Sequence, residues 1–175
     1  MNRKAIGCAS LLLMLPALCW IGGREYKAIV FNRECGGHIK RAADSNTIAL
    51  ATAEMTTVVN YLEANNLTHG YTSVFYNTPD EDVGFWYQNL KASLDQLQQE
   101  ATKKPEPTAQ EQSTLLLKLR QTLLDHKGDG GEQITAPSGI TIYPNNLLWG
   151  IAFWVLMPIG LLAGIVFTVC LKESD

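Results

Sequence analysis

Charge is missing where it is most informative. No charged residue occurs from Ala5 to Gly22 or from Leu147 to Leu171. The second run, about 25 residues, is long enough to cross the roughly 30 Å hydrocarbon core of a bilayer. Cysteine is sparse as well. Of the 4 present, Cys8, Cys19 and Cys170 fall in the apolar ends, and only Cys35 lies in the polar middle. A disulfide within that middle part is therefore excluded, and one thiol gives no evidence of compartment. Basic clusters are absent too. Gly23 to Asn146 carries 11 Lys/Arg against 15 Asp/Glu, a net charge of about −4. That balance argues against nucleic acid and against a polybasic lipid-binding surface.

Signatures of catalysis are also lacking. No serine sits in a Gly-x-Ser-x-Gly elbow, and no glycine-rich loop follows a strand and opens a helix. The three histidines stand in unrelated contexts. Cys35-Gly-Gly-His38 supplies two ligands at most, short of the three or four a metal site needs. Asp125 to Glu132 lacks the alternating ligands of a calcium loop. The expectation is a protein without enzymatic activity, metal or cofactor.

What is present begins with the two ends. Asn2-Arg3-Lys4 followed by an apolar run fits either a retained signal-anchor or a cleaved signal peptide with its cut after Ala17-Leu18-Cys19. The run continues through Trp20-Ile21-Gly22, which favours a retained first span (residues 1–23) with Trp20 and Tyr26 as interfacial anchors. Leu18 is too large for a lipobox before Cys19. The last span (147–171) is flanked by Tyr143 and Trp149 on one side and by the short tail 172–175 on the other. Pro158 should bend it. Gly160 and Gly164 form a small-xxx-small face, open to two readings: packing against the first span or a partner, or chance spacing. Arg3, Lys4 and Lys172 lie outside the spans, while Arg24, Lys27 and Arg33 blur the charge rule. The resemblance of the N-terminus to a signal-anchor favours a polar body on the non-cytoplasmic side.

That body, residues 24–146, reads as helical. From His38 to Asn65, Ile48, Ala51, Met55, Val58 and Leu62 recur at spacings of three and four. Thr78-Pro79-Asp80-Glu81 reads as a capping box opening a second helix, with Val83, Tyr87, Leu90, Leu94, Leu97 and Ala101 as its buried, heptad-like stripe. Lys103-Lys104 and Pro105 should end it. Thr108 to Glu111 is another capping box, opening a helix with Leu115, Leu116, Leu119 and Leu123 inward. His126 and Lys127 fall in its last turn, and Gly128 follows as the stop. The remainder to Asn146 reads as loop, with Ile140 to Tyr143 as a short extended piece and Asn145 or Asn146 capping the final span. The predicted fold class is all-α: two transmembrane helices flanking an antiparallel, coiled-coil-like extramembrane bundle of about three helices.

The densest cluster is aromatic: Tyr71, Phe75, Tyr76, Phe85, Trp86 and Tyr87. Three consecutive aromatics spread over about 200° of a helix surface, so one small bundle cannot easily bury all three. Tyr87 fits the stripe. Phe85 and Trp86, with Tyr71, Phe75 and Tyr76, are therefore candidate interaction residues, because exposed aromatic anchors are what interfaces use. The plainer alternative is that residues 66–78 fold down over the start of the second helix.

Four blocks carry a resemblance: Glu34 to Asp44, Tyr61 to Ser73, Thr78 to Tyr87 and Tyr143-Pro-Asn-Asn146. Together the chain resembles a family of small, uncharacterised two-span membrane proteins of cyanobacterial type. The resemblance implies a bacterial plasma or thylakoid membrane and brings no functional residues. Function is then expected to be interaction or assembly at the membrane, with the bilayer and a membrane protein partner or self-association as partners. The alternative is a ligand-sensing or binding ectodomain acting through a separate partner, since only a short tail follows the last span.

Overall fold

The computed structural model describes residues 3–104, 107–126 and 131–172. These are mostly helical, in agreement with the all-α class. They divide into two compact units, Met1–Ala28 with Asn145–Asp175, and Ile29–Pro144.

The first unit contains most of helix α1 (Arg3–Phe31) and all of α6 (Asn146–Lys172). The two run antiparallel. Trp20 stacks near Trp149 and Phe153, Ala17 lies against Gly160, and Met14 against Gly164. Pro16 and Pro158 lie inside the helices without ending them. The buried residues of this unit are small: Ser10, Ala17 and Ala163. Its large apolar residues, among them Leu12, Leu18, Trp154 and Leu161, point outward. Water would make that surface costly, whereas hydrocarbon around closely approaching small-residue faces favours it. Ile6–Ala43 and Asn146–Val169 are each long and apolar enough to cross a membrane.

The apolar stretch does not end its helix near residue 23. Gly22 and Gly23 stay helical, and α1 passes through a π turn at Asn32–Gly36 into α2 (Gly37–Ala43). Glycine is required there. A Cβ on Gly37 would stand 2.8 Å from the Asn32 carbonyl oxygen.

In the second unit, α3 (Ile48–Ala64) packs against α2 and α4 (Val83–Thr102), while α5 (Ala109–Leu123) packs against α2. The helix expected over residues 38–65 is thus two helices broken at 44–47. Asp44, Ser45, Asn46 and Thr47 all have short polar side chains that compete for backbone bonds. The Ser45 hydroxyl donates to the Arg41 carbonyl (2.7 Å), and the Thr47 hydroxyl accepts from the Leu50 amide (3.3 Å) as the cap of α3. The stripe itself holds, with Ile48, Ala51, Met55, Val58 and Leu62 all buried.

The start of α4 also differs from expectation. Pro79–Glu81 forms a separate 3-10 turn, and Asp82 caps the helix by accepting from the Phe85 amide (3.0 Å). Thr78 instead donates its hydroxyl to the Glu81 carboxylate (2.8 Å). Val83, Leu90, Leu94 and Leu97 are buried as expected; Trp86 is buried with them, Tyr87 is partly buried against the core, and Ala101 is exposed. The Thr108–Glu111 capping box of α5 is present in both directions. Leu119 and Leu123 are buried, and Leu115 and Leu116 partly so.

The last turn of α5 is not helical at His126. Leu124–His126 forms strand β1, paired antiparallel with β2 (Glu132–Ile134) in the register Leu124↔Ile134, Asp125↔Gln133, His126↔Glu132. Thr135 closes the pairing, its amide bonding to Leu123 O (3.0 Å) and its hydroxyl to Thr122 O (2.9 Å). Ile140–Ile142 is a 3-10 turn rather than an extended piece, and it buries Ile140 and Ile142. The Asn145 carbonyl accepts from Trp149 as α6 begins. Pro105, Lys127, Gly128 and Asp129, on which expected turns and loops depended, lie outside the described residues.

Candidate interaction surface

The segment between α3 and α4 is built as a fixed base with a projecting tip. Its first part is a helix stop. Asn66 takes a left-handed conformation (φ 57°). The Leu67 amide bonds back to Leu62 O (2.8 Å) and the Asn66 amide to Glu63 O (3.2 Å), the doubly bonded ending that favours asparagine or glycine. Leu67 is buried, which anchors the exit of the chain.

Next, Gly70 adopts φ 90°, and a Cβ on it would collide with the Tyr143 hydroxyl. That hydroxyl donates to His69 O (2.8 Å). The chain then pairs with the start of α4. Val83 N bonds to Gly70 O (2.9 Å), Thr72 N bonds to Glu81 O (3.0 Å), and Tyr71 and Asp82 form a bridge. The base is thus held by Tyr143 on one side and by Glu81, Asp82 and Val83 on the other.

Beyond it the aromatics project. Phe75 is 86% exposed and Tyr76 80%. Phe85, on the first turn of α4, is 63% exposed, and Tyr71 is also exposed. Trp86 is only 6% exposed and belongs to the core. The structure therefore removes Trp86 from the candidate anchors and leaves the other four at the surface. The physical reason is the later helix start: with Asp82 as cap, Val83, Trp86, Leu90, Leu94 and Leu97 share the inward face. No family model, curated protein or solved structure matches this chain.

Tyr87, partly buried against the core, joins a polar triad that spacing alone did not reveal. Its hydroxyl donates to Glu63 Oε1 (2.6 Å), and Lys91 Nζ reaches Glu63 Oε1 (2.9 Å) and the Tyr87 hydroxyl (3.0 Å). The Tyr87 hydrogen bond, then Lys91, holds the Glu63 carboxyl below the usual carboxylate range, and Lys91 is pushed up in turn. The Tyr87–Lys91 spacing of four was legible in the sequence; the Glu63 partner on another helix was not.

His38 is likewise committed within the fold. Its Nδ1 meets Glu54 Oε2 at 2.6 Å, and Arg41 meets Glu54 Oε1 at 2.5 Å, tying α2 to α3. Cys35 is fully buried. Arg120 bonds to both Asp44 and Glu132, joining α5 to the α2–α3 break and to β2. Among the described residues no three His, Cys, Asp or Glu side chains are grouped to hold a metal ion.

Gly160 and Gly164 lie on the face of α6 that approaches α1. A Cβ on Gly160 would stand 2.8 Å from Ala17 Cβ, and one on Gly164 3.7 Å from Met14 Cε. At the same pair's other end, Trp20 Nε1 donates to Trp149 O (3.2 Å) and Arg24 lies 5.7 Å over the Trp20 ring.

Proposed function

We propose that this chain is a non-enzymatic integral membrane protein that serves as an interaction or assembly factor, presenting its helical body to a protein held in the same membrane. The observation that carries the reading is the exposure of Phe75 and Tyr76 on a loop whose base is fixed. Large aromatics left in water are unfavourable for the isolated chain and are the residues that anchor protein contacts. A fixed base lowers the ordering cost of binding, so the exposed rings are presented rather than merely unfolded. The outward apolar surface of the α1–α6 pair supports membrane insertion. The resemblance to two-span proteins of cyanobacterial type points to a bacterial plasma or thylakoid membrane, and the signal-anchor character of the N-terminus to a body on the non-cytoplasmic side.

The test is a photo-crosslinking amino acid at position 75, illuminated in native membranes. A discrete adduct is expected, lost when Tyr76 is changed to serine. An adduct near twice the 19.3 kDa chain mass identifies a second copy; any other discrete mass identifies a different partner. Absence of any adduct at positions 75 and 76 overturns the reading.

A further inference from the structure

The residues from Thr72 to Asn77 carry the aromatic tip, and they are tied down at their ends. Before them, Gly70 O accepts from Val83 N (2.9 Å); after them, Thr78 O accepts from Glu81 N (3.1 Å). Between these ties, and among the described residues, the segment has two hydrogen bonds. Thr72 N donates to Glu81 O (3.0 Å), and Tyr76 O accepts from Thr78 N (3.0 Å). The second is local, so a single bond joins the strap itself to the start of α4.

Two unmet hydroxyls oppose that bond. Thr72 is 3% exposed, and its Oγ1 is buried without a hydrogen-bond partner. The Oγ of its neighbour Ser73 is also buried and unpartnered. A buried hydroxyl in this state has given up its bonds to water and received none in return. Such groups are rare in folded chains, and two in succession mark a segment whose closed form is costly. Opening the strap returns both hydroxyls to water. It gives up one backbone bond and the burial of the Thr72 methyl group. These opposing terms place the opening at the low-cost end of local unfolding. With its ends still held, a released loop of this length reaches outward by about 10 Å, half its extended contour.

We propose that Thr72 to Asn77 is a two-state capture strap. In the closed state Thr72 N is bonded to Glu81 O; in the open state that bond is broken and Phe75 and Tyr76 are carried outward to the partner. Thr72 and Ser73 keep the closed state weak, and the base at Gly70 and Val83 stays in place in both. What the rings meet rests on the assembly reading above; the opening itself does not.

The test uses the full chain in lipid nanodiscs, with hydrogen exchange read at single amides by NMR and corrected for each sequence's intrinsic rate. The amide of Thr72 should exchange at least roughly tenfold faster than those of Leu67 and Val83, which are bonded outside the strap. Thr72→Val removes the unmet hydroxyl and keeps the shape, so it should slow exchange at position 72 several-fold and leave Leu67 unchanged. Ser73→Ala should act in the same direction. In native membranes, Thr72→Val should also slow adduct formation by a photo-crosslinking residue at position 75. Exchange at position 72 as slow as at Leu67 overturns the strap, and so does exchange in the valine variant as fast as in the parent chain. Slowed exchange with an unaltered rate of adduct formation overturns its role in capture. Absence of the adduct from both chains, with the exchange pattern as expected, overturns the assembly reading and supports the opening alone.

Discussion

Two neighbouring aromatics, Phe85 and Trp86, have opposite fates, and one cap decides them. Asp82 accepts from Phe85 N and so sets where α4 begins. Trp86 then falls on the face shared with Leu90 and Leu97. Replacing a buried tryptophan with alanine removes its transfer energy and leaves a cavity, a loss of about 3–5 kcal/mol. Trp86→Ala should therefore lower Tm by many degrees, whereas Phe75→Ala should change stability by less than about 0.5 kcal/mol. Thermal unfolding of the two variants in the same micelle checks this. An unchanged Tm in Trp86→Ala would contradict its core placement. The Thr-Pro-Asp-Glu pattern puts the cap at Thr78, four positions before Asp82, because it satisfies two donors on paper. In the fold, Glu81 turns to the Thr78 hydroxyl and its carbonyl is spent on Thr72. That long-range pairing has no local signature.

Among the elements, the helices were legible and their interruptions less so. Periodicity located the inward face of α3 because its buried residues keep one stripe over four turns. The break before it was missed because the stripe was extended backward through Asp44-Ser45-Asn46-Thr47, a polar run that was itself a cap signal. The β1–β2 hairpin carries no comparable periodic signal. Its strands, three residues each, are too short for alternation to register. The α1–α6 pairing could be stated only as an option, since small-xxx-small spacings also occur by chance. Its test follows from the 2.8 Å approach at Gly160. Gly160→Ile forces side-chain volume against Ala17 and should cost about 1–3 kcal/mol. Leu161→Ile, on the outward face, should be nearly neutral. Thermal unfolding of both in micelles decides it, and equal Tm values would mean that the two helices do not pack through Gly160.

At the scale of the whole molecule, the chain concentrates its apolar surface in the α1–α6 unit and its polar surface in the helical body. In the first unit small residues lie inside and large ones outside; in the second, Met55, Leu62, Leu90 and Leu97 lie inside. One chain thus carries two opposite packing patterns, each suited to a different solvent. Sidedness is the property of this arrangement that matters most for function, because it fixes which compartment meets Phe75 and Tyr76. Cys35 would have served as a natural reporter had it been exposed. It is fully buried in the body, and an impermeant maleimide should leave it unlabelled in the folded protein. A cysteine at Ser113, exposed on α5, replaces it as the reporter. In intact cells carrying the chain in the plasma membrane, Ser113→Cys should react with the impermeant reagent, while the unmodified chain gives the background. Reaction only after the membrane is opened would place the body in the cytoplasm and reverse the proposed orientation. The surfaces described here would then face cytoplasmic partners instead.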